Sequence, residues 1–215
     1  MVTIASGVAP VAVSAGALER VRALAQIDPG DEVVLCLGRL HPIKRLDLLA
    51  AAFDIVRRAR PRARLVIAGP DEDGYRARVE PLFAPVAAAT RWLGAVDGET
   101  AAALFAASRT LVQCSDSESF GMSVAEALAA GLPVVVTNGT PWPQVAVLGL
   151  GYSVPQEPAA IARGILDILE RPADGCAMGA RGKAWARETF GWDAIGRSMR
   201  DAYQNVLDKP RGLRP

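Results

Sequence analysis

The sequence predicts an α/β fold, a doubly wound, Rossmann-like parallel sheet covered by helices on both faces. Short apolar runs without polar alternation indicate strands that are buried on both faces, and stretches of helical period separate these runs. Right-handed crossovers between such strands give the doubly wound topology. Because ligands of these sheets bind beyond the carboxyl ends of the strands, we expect the chemistry in the loops that follow them.

The apolar runs predict strands of three to five residues. They lie at residues 33–37, 64–68, 91–93, 110–114, 133–137 and 151–154. Residues 1–30 are predicted to be a lead-in or linker segment, and residues 31–207 to form the domain. The polar tail, 208–215, is expected to fray.

Helices are predicted wherever apolar residues recur with the period of a helix. Leu46, Leu49 and Phe53, for example, lie on one stripe, whereas Pro81 and Pro85 should interrupt the helix that contains them. The predicted helices lie at residues 17–25, 46–60, 74–88, 98–107, 122–130, 142–148, 158–170, 176–189 and 192–207.

Composition and charge exclude several classes of protein. The 215 residues, 51% of them hydrophobic, are enough for the core of one large domain. A net charge of +1 gives no basic excess of the kind that binds nucleic acid, and the longest apolar runs are too short to cross a membrane. No signal peptide is predicted, because the apolar start lacks a basic region. Cys36, Cys114 and Cys176 lack metal-ligand spacing and favour a reduced, cytoplasmic setting.

Two glutamates with seven residues between them, Glu118 and Glu126, form the most informative pattern. The segment between them should start a helix at residues 120–123, where free backbone N–H groups and the helix dipole suit a phosphate. Carboxylates beside a phosphate would repel it, so these acids should accept hydrogen bonds from hydroxyls. The pattern indicates a nucleotide sugar as ligand, and the alternative is a solvated helical face.

The loop after the first strand, residues 38–45, is basic. Arg39 and Lys44 would suit a diphosphate, and the alternative is a solvated basic turn. His41 is the single histidine; it could be a base or a phosphate contact, but beside Pro42 we favour a spectator role.

The loops after the other strands are less specific. Gly69 would allow a ligand to approach the backbone closely. The acids at 71–73 could suggest a cation site, but they lack the spacing of a calcium loop, so we favour solvated acids at a helix start. Trp142 is either a stacking surface or a core residue, and we favour the core.

Several segments, in order, resemble the "glycosyl transferases group 1" family of retaining GT-B glycosyltransferases. The segment ESFGMSVAEAL is similar to the E-x7-E motif of that family, and LCLGRLHPIKRLDLL to its strand–Gly-Arg–Lys segment. LVIAGP and AALAAGLPVVVTNGTPW follow in the family's order, and the resemblance extends over residues 31–207. It implies the C-terminal donor-binding domain alone, with the acceptor domain supplied by the rest of a longer protein or by a partner chain.

The resemblance also implies roles for individual residues. Glu118, Arg39 and Lys44 would be catalytic, with the two cations on the donor diphosphate and Glu118 on the transferred sugar. Glu126 would accept hydrogen bonds from the ribose. Phe120, Gly121 and Met122 would present backbone amides to the sugar and the phosphate, with Ser123 at the start of the helix. Residues near Leu93 and Gly94 would border the base, and Gly69 is kept as a donor-binding residue because of the close approach that it allows.

The implied reaction transfers a sugar from a UDP- or GDP-sugar with retention of configuration, and it requires no metal and no further cofactor. The TPW segment is most similar to members that build lipopolysaccharide or exopolysaccharide, which implies a cytoplasmic protein, at the inner membrane surface when complete. Arg45 replaces a glycine common in the family, where it would tighten the loop or add to the cationic patch. Gln144 lies near a position where many members have a glutamate, which leaves the sugar specificity open.

Two other functions remain open at this point. The chain could be a binding module that holds a nucleotide sugar without transferring it, since the isolated domain would lack an acceptor site. It could also be a docking subunit whose last helix, 192–207, packs against a partner. Another Rossmann-type enzyme, such as a sugar-phosphate isomerase, would not be expected to contain this ordered set of motifs.

Overall fold

The computed structural model describes residues 4–9 and 12–208. Its centre is a sheet of six parallel strands in the order β3-β2-β1-β4-β5-β6, which confirms the predicted doubly wound α/β fold. The strand order reverses between β1 and β4, where the crossover changes direction. The strands are β1 (Glu32–Leu37), β2 (Ala63–Ala68), β3 (Thr90–Gly94), β4 (Thr110–Gln113), β5 (Val134–Thr137) and β6 (Gly151–Val154).

Helices cover both faces of the sheet. They are α1 (Ala15–Leu24), α2 (Leu46–Ala59), α3 (Tyr75–Val79), α4 (Gly98–Ala107), α5 (Met122–Ala130), α6 (Gln144–Val147), α7 (Pro158–Glu170), α8 (Pro172–Phe190) and α9 (Trp192–Leu207). Short 3-10 helices lie at Pro42–Lys44 and Glu80–Ala89. Among the described residues, no helix is both long enough and apolar enough to cross a membrane.

The four central strands, β1, β2, β4 and β5, are largely buried on both faces, as their mainly apolar sequences predict, whereas the edge strands β3 and β6 are partly exposed. Val33 and Leu35 of β1 belong to a core that contains residues of α1, α4, α5 and α8. Val34, between them, belongs to the opposite core, with residues of α2, α3 and α7. Alternate side chains of one strand thus enter two different cores, which is why the sequence lacks polar alternation.

Three predicted helices differ from the structure. The helix predicted at 74–88 divides into α3 and the 3-10 helix Glu80–Ala89, because a proline has no N–H for the helical ladder and its ring crowds the preceding turn. The helix predicted at 142–148 shortens to Gln144–Val147 after Pro143. Helix α8 begins at Pro172 rather than 176, since proline is tolerated in the first turn of a helix.

Glycines in α8 allow it to lie against α5. A Cβ on Gly179 would overlap the Gly131 carbonyl oxygen, and one on Gly182 would lie 2.9 Å from Leu128 Cδ2. Gly131 ends α5 as predicted: its φ is 85°, and Leu132 N donates to Ala127 O at 2.9 Å.

The segment before β1 also packs on the domain. Ala17 and Val21 of α1 are buried in the same core as α4, and Val8 N donates to Phe190 O at 2.8 Å. Of the lead-in segment predicted at 1–30, residues 1–3 and 10–11 lie outside the described residues. So does the tail predicted at 208–215, apart from Asp208.

Candidate functional site

The candidate site lies at the carboxyl edge of the sheet, where β1 and β4 end side by side. The loop after β1, 38–45, and the loop after β4, 114–121, are joined by a backbone hydrogen bond from Asp116 N to Ile43 O at 2.9 Å. Adjacent parallel strands that lead to opposite sides of the sheet leave a crevice between their loops, which is where doubly wound domains bind ligands. The structure therefore brings the basic loop and the first predicted glutamate together.

Glu118 is held through one of its two carboxylate oxygens. Its Oε1 pairs with Lys44 Nζ and accepts hydrogen bonds from Gln113 Nε2 at 2.6 Å and Ser115 Oγ at 2.7 Å. Among residues 4–9 and 12–208, no donor reaches its Oε2. The side chains are largely buried, with 13% of Glu118 and 20% of Lys44 exposed. The carboxylate is thus fixed in orientation while one oxygen stays available to a ligand.

Gln113 and Ser115 were missed by the sequence analysis. Gln113 is 5% exposed, and its Oε1 accepts a hydrogen bond from Ser123 Oγ at 2.8 Å. The one available signal was a glutamine at the end of the apolar run TLVQC, where a buried amide must find partners.

The start of α5 presents backbone amides that are available to a ligand. Within the described part of the chain, the backbone amides of Met122 and Ser123 have no hydrogen-bond acceptor, and together with the helix dipole they favour an anion. Gly121 precedes them with φ 83°, a conformation that favours glycine. A Cβ at Gly121 would also lie 2.9 Å from Trp142 Nε1.

Trp142 holds the segment just before α5 in place. Its Nε1 donates to Phe120 O at 2.6 Å, and its ring packs against those of Phe120, Trp185 and Phe190. With 2% of Trp142 exposed, the predicted core role is confirmed.

Glu126, the second predicted glutamate, has an unpaired carboxylate. It lies in the second turn of α5 and lines a cavity of about 300 Å³ between α4, α5 and the segment around Val8. Among the residues that the structure describes, none forms a hydrogen bond or ion pair with it. Partial burial raises the pKa of its carboxyl above the usual range. Lys183 lines the same cavity but forms no ion pair with Glu126. A half-buried carboxylate that has no bonded partner and borders a cavity is suited to accept hydrogen bonds from hydroxyls.

Arg39 is not part of the network around Glu118. Its side chain is 53% exposed, and its Nη1 lies 3.8 Å from Glu72 Oε2 in the loop after β2. Such an exposed pair contributes little to stability, so Arg39 can turn toward a ligand at low cost. Asp71 in the same acidic loop lies 3.3 Å from Arg76 N, near the start of α3. This agrees with solvated acids at a helix start, and the described residues contain no acid, histidine or cysteine cluster suited to a metal ion.

Arg45 tightens the basic loop rather than adding a free cation. It donates to Asp47 Oδ1 at 3.0 Å and to Asp116 Oδ1 at 2.8 Å, and these hydrogen bonds raise the pKa of its guanidinium. Its φ and ψ are both 49°, a left-handed conformation that explains why a glycine suits this position. His41 Nδ1 accepts a hydrogen bond from Ile43 N at 3.3 Å and caps the 3-10 helix Pro42–Lys44, which supports its spectator role.

The glycines after β2 and β3 differ in what surrounds them. A Cβ on Gly69 would overlap the Gly38 carbonyl oxygen, so this glycine is required by the neighbouring loop of the protein itself. Gly94, with φ 69°, borders open space, because no atom lies within 4 Å of the position of its missing Cβ. Leu93 is half-buried against the core beside it. Leu93 and Gly94 thus remain the predicted border of the base.

The class of protein follows from this geometry. The sheet is doubly wound, and the loops at its switch point present a lysine, an open helix start and two carboxylates. Such a Rossmann-like domain is suited to a ligand with phosphates and hydroxyls. Residues 19–185 match the family model described as "Glycosyl transferases group 1", and the chain belongs to this family.

The relatives include one curated protein of Streptomyces avermitilis, the D-inositol 3-phosphate glycosyltransferase. It is 33% identical in an alignment 196 positions long, which covers 85% of this chain and 42% of the Streptomyces protein. The chain therefore spans less than half the length of that relative.

Two solved structures show the same fold. Sucrose-phosphate synthase from Thermosynechococcus elongatus superposes with a TM-score of 0.82 and 26% identity over 95% of this chain and 52% of the synthase. The C-terminal domain of a glycosyl transferase group 1 family protein from Francisella tularensis, 17% identical with a TM-score of 0.69, covers 84% of this chain and 95% of its own length. The described residues thus have the fold of the C-terminal domain of a GT-B glycosyltransferase.

Proposed function

We propose that this chain is the nucleotide-sugar donor domain of a retaining glycosyltransferase. The observation that supports it most is the one-sided fixation of Glu118: Lys44, Gln113 and Ser115 hold Oε1, and Oε2 is left for a hydroxyl. A helix start suited to phosphate lies next to it, and the unpaired carboxylate of Glu126 is one helical turn further on. Acceptors for hydroxyls therefore lie on both sides of a phosphate site, which matches a sugar, a diphosphate and a ribose in sequence.

In the proposed reaction, the protein stabilises the charge that develops on the departing diphosphate. The bond between the anomeric carbon and the phosphate oxygen breaks, and the acceptor oxygen bonds to that carbon on the same face. The acceptor's proton passes to the departing phosphate oxygen. Lys44 Nζ, the amides of Met122 and Ser123, and Arg39 once it turns from Glu72 would stabilise the diphosphate electrostatically. These positive groups, of which Lys44 and the two amides are held in place, support a reaction without a metal ion.

The donor and the acceptor are proposed as classes. A UDP- or GDP-sugar fits the site, with Leu93 and Gly94 at the base. The acceptor we propose is a hydroxyl of a growing lipopolysaccharide or exopolysaccharide, at the inner membrane surface. The Streptomyces relative is named a D-inositol 3-phosphate glycosyltransferase. A phosphorylated polyol is therefore the second class of acceptor to test beside the polysaccharide.

The last helix supports a second domain as partner. Helix α9 buries Ile195 alone, whereas Trp192, Met199, Tyr203 and Val206 of the same helix are exposed. We propose that an acceptor-binding domain, on the same polypeptide or on a partner chain, covers this apolar surface. Without it, the chain acts as a binding module that holds the donor but does not transfer the sugar, which is the second candidate function.

Thermal unfolding with UDP, GDP and ADP tests the donor site. A nucleotide at about 100 times its dissociation constant should stabilise the fold by about 2.7 kcal/mol, which raises Tm by roughly 5–10 °C for a chain of this size. The shift should occur with one nucleotide and disappear in Glu126→Ala. Glu170→Ala is the matched control, since Glu170 lies near Arg60, at the opposite edge of the sheet. Equal shifts in both variants would rule out the role proposed for Glu126.

A further inference from the structure

Gln113 occupies an unusual position for a polar side chain. It is the last residue of β4, with 5% of its surface exposed, and Val112 and Cys114 on either side are buried as well. A primary amide in such a place is unfavourable unless its donor and acceptor are both used. In Gln113 both are used, and both bonds go to residues of the proposed donor site.

The orientation of the amide follows from its two partners. Glu118 is a carboxylate that can only accept, so the Gln113 atom 2.6 Å from its Oε1 is the nitrogen. The Gln113 oxygen therefore faces Ser123 Oγ at 2.8 Å and accepts its proton. Hydrogen bonds thus connect Ser123, at the start of α5, through Gln113 to Glu118.

We propose that Gln113 is a positioning residue that orients Glu118 toward the transferred sugar. This inference rests on the donor-domain function proposed above. The Gln113 amide and the Ser115 hydroxyl both donate to Oε1, which leaves Oε2 without a donor among the described residues. Without the amide, the carboxylate can rotate about its last torsion and present either oxygen to Lys44. The sugar then loses a fixed acceptor, and the nucleotide keeps its own contacts.

Comparing a nucleoside diphosphate with the matching nucleotide sugar isolates this role. The ratio of the two dissociation constants reports what the sugar contacts contribute, because the nucleotide part is common to both ligands. In Gln113→Leu, which has a similar volume and no polar atoms, we expect this ratio to shift about tenfold against the nucleotide sugar. The affinity for the diphosphate alone should change less than about twofold.

Thr110→Val is the matched control. Thr110 lies at the other end of β4 and is also buried, where its hydroxyl donates to Pro133 O at 3.0 Å. This variant loses a buried hydrogen bond of the same strand without touching Glu118, so the ratio should stay at its wild-type value. Ser123→Ala removes the hydrogen bond to the Gln113 side-chain oxygen. It should shift the ratio in the same direction as Gln113→Leu, but by a smaller factor.

A pH series with Gln113→Glu distinguishes positioning from a general loss of packing. When protonated, the introduced carboxyl can donate to Glu118 as the amide does; when ionised, it repels Glu118. Lowering the pH should therefore restore the ratio in this variant toward the wild-type value at the same pH. A residue with a purely structural role would change Tm but leave the ratio independent of pH.

Isothermal titration calorimetry of the full chain with the nucleoside diphosphate and with the nucleotide sugar measures the two dissociation constants. A wild-type ratio in Gln113→Leu, together with no pH dependence of the ratio in Gln113→Glu, would overturn the positioning role while the donor domain stands. No binding of any nucleoside diphosphate to the wild-type chain would instead refute the proposed function itself.

Discussion

Arg45 connects the two loops of the site, because its Nη1 donates a hydrogen bond of 2.8 Å to Asp116 Oδ1. The same guanidinium also pairs with Asp47, at the start of α2. These contacts hold a non-glycine residue in the left-handed conformation, at φ 49°. The ion pairs thus offset the energetic cost of the left-handed backbone. Glycine would adopt the same conformation without that cost and would need no ion pairs.

Comparing two substitutions at Arg45 separates the backbone effect from the ion pairs. Arg45→Gly and Arg45→Ala both lose the contacts to Asp47 and Asp116, but only glycine adopts the left-handed conformation without steric cost. We expect Arg45→Gly to be more stable than Arg45→Ala by about 1 kcal/mol in urea unfolding. Equal free energies of unfolding for the two variants would contradict a left-handed backbone at this position.

Glu126 should reduce stability as the pH rises, because burial raises the pKa of its carboxyl in the folded state. The protonated form is therefore favoured by folding, so its stabilising effect is complete below the unfolded pKa of about 4.5 and is lost as the pH rises through the folded pKa. Glu126→Gln should match the wild type at pH 4 and exceed it in stability by a growing margin as the pH rises through the folded pKa, since the amide carries no charge to desolvate.

Glu126→Gln should also bind nucleotide more weakly at neutral pH, since an amide is a poorer acceptor for ribose hydroxyls than a carboxylate. A gain of stability together with a loss of binding is typical of a residue kept for function. Urea unfolding from pH 4 to 7, with nucleotide titration at pH 7, measures both. Glu170→Gln is the exposed control and should change neither.

The fold could be predicted from the sequence because its strands are mainly apolar runs separated by helical stretches, a pattern that favours a parallel sheet covered on both faces. The two site loops could be predicted too, since residues that follow β1 and β4 must meet at the switch point of a doubly wound sheet. Glu118 and Lys44 lie in these loops, and the structure brings them into contact.

Other features depend on contacts that have no local pattern. The amide of Gln113 bonds to residues that lie five and ten positions away, a spacing that follows no strand or helix period. Gly69 is explained by the Gly38 carbonyl oxygen of a neighbouring strand's loop, which a sequence does not place beside it. The left-handed Arg45 contradicts its local propensity and is recognisable only from its distant partner Asp116.

Gly121 should not tolerate a side chain. Its φ is 83°, and a Cβ would lie 2.9 Å from Trp142 Nε1, so Gly121→Ala adds backbone strain to a steric clash at the start of α5. We expect a loss of about 2 kcal/mol in the free energy of unfolding. Gly98→Ala is the matched control, because Gly98 begins α4 and nothing lies within 4 Å of its Cβ position. Urea unfolding of both should show a clear loss at Gly121 and little change at Gly98.

Lys44 and Arg39 should contribute differently to diphosphate binding. Lys44→Ala removes a largely buried cation and leaves Glu118 without its counter-charge beside the phosphate site, so both the lost attraction and the new repulsion weaken binding. We expect each alanine variant to lose about 1–3 kcal/mol of binding free energy for the nucleoside diphosphate, with Lys44→Ala at the upper end.

The effect of Arg39→Ala on diphosphate binding should shrink as the salt concentration rises, because Arg39 is half exposed and its charge is screened by salt. Titration at about 0.05 and 0.5 M salt measures both, with the exposed Arg163→Ala of α7 as control. Wild-type affinity in both variants would exclude the basic loop as the diphosphate site.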